Sequence, residues 1–262
     1  MEVEQRFDFS LITESPGHRA SVEQLGRLYQ RYRFARDRAV GKDVLEVACG
    51  TGIGLRYLAQ SARNVTAGDI DQQNLKSVHM YLGPESGIEV RFLDAQNLDL
   101  CDESVDLAIL FEALYYLEHP QKFIGEAARV LRPGGELLLC TVNKNWVDFH
   151  PSPYTFKYFS VPELHHLLRG DFSTVEFYGG FPADNSRPLE KAISMLKRAA
   201  VSLDLIPGTL KSRAYLKRIF MGKLVSLPEQ IYDGMTEYTA PVPITADKEN
   251  SLHKIIYAVA RK

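Results

Sequence analysis

A chain of 262 residues, 45% of them hydrophobic, is long enough to bury a substantial core in one elaborated domain or in two small ones. Its net charge of −2 leaves no global field of the kind that marks a nucleic-acid binder, so no nucleic-acid partner is expected. The longest near-continuous apolar run, residues 107–117, is broken by Glu112 and is too short to cross a bilayer.

Residues 1–18 carry acids and no long apolar stretch, and are not expected to act as a signal peptide. Residues 21–39 place Val22, Leu25, Tyr29 and Tyr32 at helical spacing, with Ser21 as the N-cap and Gly41 as the stop. From there short apolar stretches alternate with amphipathic ones. Strands are expected at 43–48, 64–70, 88–95, 105–113 and 136–143, and helices at 54–62, 73–82 and 120–131, the last closed by the turn RPGG. A strand falls at 173–180, and a final strand at 254–262. This order predicts an α/β fold: a Rossmann-like, mostly parallel sheet of seven strands with helices on both faces.

A helical insertion before the last strand departs from that pattern. Two amphipathic helices are expected at 188–204 and 209–225. From Arg187 to Lys223 the segment holds nine basic residues against Glu190 and Asp204, a local +7 inside a chain of −2. Three uses stand open: a lid for an anionic acceptor, a surface resting on an anionic membrane, or a solvated face over a local core. The cysteines Cys49, Cys101 and Cys140 lack metal spacing and read as buried free thiols of a reducing, cytoplasmic compartment. His165 and His166 are adjacent on a helix and point different ways, so no metal site is expected.

The stretch VLEVACGTGIGL (44–55) sets glycines after a strand and before a helix, where a tight turn and free N–H groups meet a polar ligand. The dinucleotide fingerprint fails, because its third glycine falls on Leu55 or, counted from Ala48, on Ile53. A phosphate-binding loop fails for want of Gly-Lys-Ser/Thr. What stands here is Glu46-x-Ala48-x-Gly50-x-Gly52. It resembles the nucleotide loop of class I S-adenosylmethionine-dependent methyltransferases, with Ala48 in place of the first glycine, a tolerable change while its φ stays negative. The resemblance continues in order through VTAGDID (65–71), VRFLDAQNL (90–98), SVDLAILFEALYYLEHP (104–120) and ARVLRPGGELLL (128–139), the strand-end motifs of the type-11-like branch. It covers residues 41–182 and the last strand.

The resemblance implies S-adenosyl-L-methionine as cofactor and S-adenosyl-L-homocysteine as product. Asp69, nineteen residues after Gly50, would take the ribose hydroxyls. Asp94 would accept from the adenine amino group, with the Ala95 N–H facing the ring, and Ile70 and Phe111 would be its apolar neighbours. Glu46 would help hold the methionine end. The implied chemistry is in-line methyl displacement, in which the protein aligns the reactants. A hydroxyl acceptor also needs a base. Several small-molecule relatives carry Leu-His-His after the fourth strand, whereas Tyr115 and Tyr116 stand here and read as a wall or hydrogen-bonding shelf. Asn143, Asp148, His150 and Tyr154 crowd the loop after the fifth strand, and Asp148 and His150 are the candidate bases.

The expected organisation is an N-terminal helical cap (1–40) whose Tyr29, Tyr32 and Arg33 close over the cofactor, a cofactor-binding domain (41–182 and 251–262), and a basic helical lid (183–250). The expected function is methyl transfer to oxygen of a small-molecule or glycan-type acceptor in a biosynthetic or cell-envelope polysaccharide pathway. The rivals are nitrogen, carbon or macromolecular acceptors, and a non-catalytic module of the same fold.

Overall fold

In the computed structural model, which describes residues 13–83, 86–183 and 224–262, the alternating stretches assemble into one eight-stranded sheet and a separate two-stranded one. In chain order the elements are β1 (Arg19–Ser21), α1 (Val22–Ala39), β2 (Asp43–Val47), α2 (Leu55–Ala59), β3 (Asn64–Asp69), α3 (Gln72–Leu82), β4 (Glu89–Phe92) and β5 (Val105–Phe111). A 3-10 turn at Leu114–Tyr116 follows, then α4 (Pro120–Val130), β6 (Leu131–Val142), α5 (Val161–Leu168), β7 (Thr174–Pro182), β8 (Leu224–Ser226), β9 (Val242–Ile244) and β10 (His253–Arg261).

The large sheet runs β4-β3-β2-β5-β6-β10-β7-β9. Its first five strands are parallel, and β10 enters antiparallel between β6 and β7. The order reverses between β2 and β5, so the chain leaves these two neighbours toward opposite edges, and their C-terminal tips open the crevice where α/β sheets take ligands. Alternating side chains feed two cores. Val44, Ile109 and Leu138 face α1, α2 and α3, while Leu45, Leu110 and Leu139 face α4 and α5.

Ser21 caps α1 as expected, and Gln24 completes a capping box. The eighth strand of the sheet is β9, a three-residue edge strand on β7 contributed by the stretch expected to form the insertion. Leu224 and Val225, the expected end of the second insertion helix, lie instead in β8, paired with β1. The rest of both expected helices, and the basic run as far as Lys223, lie outside the described residues. β6 begins earlier than expected, at Leu131, because the RPGG turn is absorbed as a bulge, with Gly134 at φ +78°. Cys49 and Cys140 are buried thiols, but Cys101 is exposed, lying in the loop before β5 rather than within an apolar strand. Among the described residues no helix is long and apolar enough to cross a membrane, and no cluster of His, Cys, Asp and Glu could hold a metal ion.

The segment after β8 wraps back over α1. Asp233 accepts hydrogen bonds from Tyr57 (2.5 Å), Tyr29 (3.3 Å), Arg33 (3.1 Å) and Arg36 (2.7 Å), and Gln30 donates to the Thr239 carbonyl at 2.7 Å. α1 is thereby pressed between this segment and the sheet.

Close packing between β3 and β4 sets the reach of the strand tips. A Cβ on Gly68 would lie 2.5 Å from Leu93 Cγ and 2.7 Å from the Arg91 carbonyl oxygen, and the second of these is backbone that cannot rotate away. Gly68→Ala should therefore lower the unfolding free energy by about 2–3 kcal/mol, measured by urea denaturation.

Candidate active site

The turn from β2 into α2 is left-handed three times over, at Ala48 (φ +55°), Gly50 (φ +58°) and Gly52 (φ +75°). For Ala48 this corrects the expected negative φ: the turn needs the glycine geometry, and the alanine bears the Cβ strain that a glycine would not. Asp69, at the tip of β3 and 5% exposed, holds the turn in place. Its Oδ2 accepts from the Gly50 N–H and its Oδ1 from the Asp71 N–H, both at 2.8 Å. Burial raises the Asp69 carboxyl above its usual range, and the Asp71 and Gly50 N–H groups, with a hydrogen bond from the Asn74 side chain, pull back against that shift.

Glu46 sits inside β2 and is 1% exposed. Tyr32 of α1 donates to its Oε1 at 2.5 Å, while Oε2 is buried with no hydrogen-bond partner among the described residues. Burial pushes the Glu46 carboxyl up to about 7, opposed by the Tyr32 hydroxyl and by Arg31. Of the three cap residues expected over the cofactor, Tyr32 faces this turn and packs edge-on against Phe111 at 5.4 Å. Tyr29 and Arg33 turn away to Asp233.

Asp94 lies beyond β4, where its Oδ1 accepts from the Gln96 N–H at 2.8 Å. Ala95 is buried beside it, and Ile70, next to Asp69, is 42% exposed, an uncovered apolar side chain at the strand tips. Phe111 ends β5 and is buried.

On the far side of Phe111, Glu112 is left-handed (φ +50°) and accepts from the Tyr115 hydroxyl at 2.8 Å. Tyr115 packs on Tyr116 at 4.6 Å and on Tyr158 at 4.8 Å, forming an aromatic wall. Burial raises the Tyr115 phenol well above its usual value and pushes Tyr116 up to about 12, so both stay protonated near neutrality, with the Tyr115 proton given to Glu112. The loop after β6 meets this wall through the Phe156 N–H, which donates to the Tyr115 carbonyl at 2.9 Å. On that loop His150 and Tyr154 are exposed and Asp148 is half-buried. Asn143 is fully buried, and its amide binds the carbonyls of Asn250 and His253, a pin between β6 and β10 rather than a chemical group.

Two residues of this region escape a motif-based reading. Arg31 is buried on α1, one turn from Leu28 and Ala35, so a charge sits on the core face of an amphipathic helix. Glu112 breaks an apolar run. Both signals were present as charges in apolar positions.

The residues suit S-adenosylmethionine. They offer a glycine cradle, a buried carboxylate oxygen of Glu46 that has no partner among the described residues for an ammonium group, a carboxylate at the next strand tip, and an uncovered Ile70 for an adenine face.

Residues 45–139 match the methyltransferase-domain family model of the type-11 class. A probable S-adenosylmethionine-dependent methyltransferase of Mycolicibacterium smegmatis is 32% identical over 143 residues, covering 52% of this chain and 54% of that protein. A ubiquinone biosynthesis O-methyltransferase of Nitrosospira multiformis is 30% identical over 166 residues, covering 62% of this chain and 65% of the relative. The match to the first relatives spans about half their length. The fold is similar to a chain of the complex between the Haloferax volcanii Trm112 methyltransferase activator and a methyltransferase, with a TM-score of 0.57, 17% identity and 90% of each chain covered.

Two outcomes follow from the strained turn and the buried acid. Ala48→Gly should raise stability by about 1 kcal/mol in thermal unfolding, through relief of left-handed strain. Glu46 holds its proton more tightly folded than unfolded, so its ionisation costs stability as pH rises from about 4.5 through about 7, and the loss is complete above that. Glu46→Gln should remove that slope, gaining on the order of 2–3 kcal/mol over wild type at pH 8 and little at pH 4.

Proposed function

We propose that this chain, which carries a class I S-adenosylmethionine-dependent methyltransferase domain of the type-11 branch, catalyses methyl transfer to an oxygen of a small-molecule or glycan-type acceptor. The observation that carries the reading is the meeting of three features at the β2/β5 switch point: the left-handed glycine turn, Asp69 clamped to it, and the unpartnered oxygen of Glu46. The cofactor, when bound, supplies a methyl group on a sulfonium, ready for displacement.

The chain's residues do the rest. Asp69 receives the ribose hydroxyls, and Glu46 receives the methionyl ammonium. Asp94, Ala95, Ile70 and Phe111 enclose the adenosine. Tyr116, held protonated, donates to the acceptor, and Tyr115, its proton held by Glu112, presents with it a flat wall to a ring, sugar or aromatic. Alignment of acceptor and methyl can supply several kcal/mol of the barrier. The acceptor proton leaves to Asp148 or His150 on the loop, or to Glu112 behind Tyr115. Oxygen is favoured by the relative named an O-methyltransferase, and a biosynthetic or cell-envelope polysaccharide pathway is the setting proposed. The basic segment 187–223 is assigned to a lid for an anionic acceptor, with peripheral membrane contact as the competing use.

Calorimetry with S-adenosylhomocysteine should show binding to the wild type and a roughly 10–100-fold loss in Asp69→Ala, the range for hydrogen bonds to a charged group. No binding at high micromolar ligand, with Asp69→Ala indistinguishable, would favour a non-catalytic module. A labelled-methyl screen of sugars, quinols, lipids, proteins and nucleic acids then reads the acceptor. Label found only in protein or RNA would overturn the small-molecule assignment, and label on nitrogen or carbon the oxygen assignment.

A further inference from the structure

The first turns of α1 meet the chain that leaves β6. Asn143 fixes the path of that chain: its N–H donates to the Lys254 carbonyl at 2.9 Å, and its Oδ1 accepts from the Asn145 N–H at 3.0 Å. Trp146, the one tryptophan of the sequence, follows, and the Lys254 ammonium stands 5.5 Å from the centre of its ring. The same ammonium pairs with Glu23 of α1 at 2.8 Å, and Glu23 pairs also with Arg27. The Arg27 guanidinium lies over the Phe181 ring at the end of β7, at 5.8 Å.

Three buried atoms of this corner have no hydrogen-bond partner among the described residues: Trp146 Nε1, Arg27 Nε and Asn145 Oδ1. Two are donors and one is an acceptor, and each is costly to bury idle. The charge is also incomplete. Glu23 is the only carboxylate paired with Arg27 or Lys254 among the described residues, so the three side chains together keep one positive charge. The corner adjoins the aromatic wall. Burial raises the Glu112 carboxyl that holds Tyr115, and Arg31, the Tyr115 hydroxyl and Arg27 oppose that shift, so the Arg27 charge is felt at the tip of β5.

On the methyl-transfer reading above, we propose that this corner is the far end of the acceptor site, and that the acceptor is a hydroxylated ring bearing a carboxylate. The carboxylate oxygens accept from Trp146 Nε1 and Arg27 Nε, and a ring hydroxyl donates to Asn145 Oδ1. A single negative charge balances the residual cation. A phosphate, with about −1.5 to −2 charges near neutrality, would overshoot it, and a neutral sugar or phenol would leave it uncompensated. A sugar acid and an aromatic hydroxy acid share the required chemistry.

Because Trp146 is the sole tryptophan, its emission reports this corner. The full chain, saturated with S-adenosylhomocysteine, is titrated with glucuronate against glucose and with hydroxyphenylacetate against cresol. In at least one pair the carboxylate probe should shift the emission and bind roughly 10–100-fold more tightly than its neutral counterpart, the range for hydrogen bonds to a charged group, and the responding pair identifies the ring. Lys254→Gln should reduce that preference. Trp146→Phe, followed by calorimetry, should weaken the carboxylate probe and leave S-adenosylhomocysteine unchanged. The wild-type titration stands even if a variant fails to fold. The inference is overturned if no probe moves the emission, if the neutral probes bind as tightly, or if both variants keep the full carboxylate preference. Such a failure with S-adenosylhomocysteine bound sinks the carboxylate subsite alone, whereas failure of S-adenosylhomocysteine itself to bind sinks the methyl-transfer reading beneath it.

Discussion

The site rests on a backbone constraint: between β2 and α2 the chain passes through three left-handed residues in five positions, and only a clamp from the neighbouring strand keeps it there. Asp69 provides that clamp through the Gly50 N–H, and the Cys49 N–H donates to the Gly68 carbonyl, so β3 supports the turn with both backbone and side chain. The clamp also explains why Asp69 tolerates burial as an acid. Its ionised form is solvated by peptide N–H groups that the turn would otherwise leave unsatisfied. Cradle and clamp stabilise each other, which lets Ala48 persist in a conformation that costs an isolated alanine about 1–2 kcal/mol.

The two ends of the parallel sheet are finished differently. At the N-terminal ends of the strands, Asp43 and Asp106 meet Arg63 and Arg132 in a mutually paired network, and Asp43 is held well below the usual carboxylate range by the bonds from Arg63, Asn64 and Arg132. At the C-terminal ends, one oxygen of Glu46 and one nitrogen of Arg31 are buried without hydrogen-bond partners among the described residues. Charges fully paired at one end, and single buried atoms left open at the other, mark where stability is given up.

α1 links these features to the rest of the chain. One face packs on the sheet and places Tyr32 and Arg31 over the glycine turn. Its other side is held by Asp233, where two tyrosines and two arginines converge. A segment nearly two hundred residues downstream thus sets the height of the aromatic ring above Glu46.

Local pattern was enough for much of this architecture. Period-two apolar strands, the Ser21 cap and the glycines after β2 depend on near neighbours in the chain, and each expected strand of the sheet lies close to its expected position. Asp69 and Glu46 were legible for the same reason, as acids at fixed distances from a glycine turn. Contacts between distant residues were not. The positive φ of Ala48 is imposed by the turn's closure on β3, the added edge strand β9 by an open side of β7, and the burial of Arg31 by a helix whose outer side is covered from residue 233. Sequence alone determined which residues could form a strand, a turn or a cap, because those depend on local sterics and hydrogen bonding. Tertiary structure alone decided which charges would be paired and which left idle, because desolvation is a property of everything packed around a group.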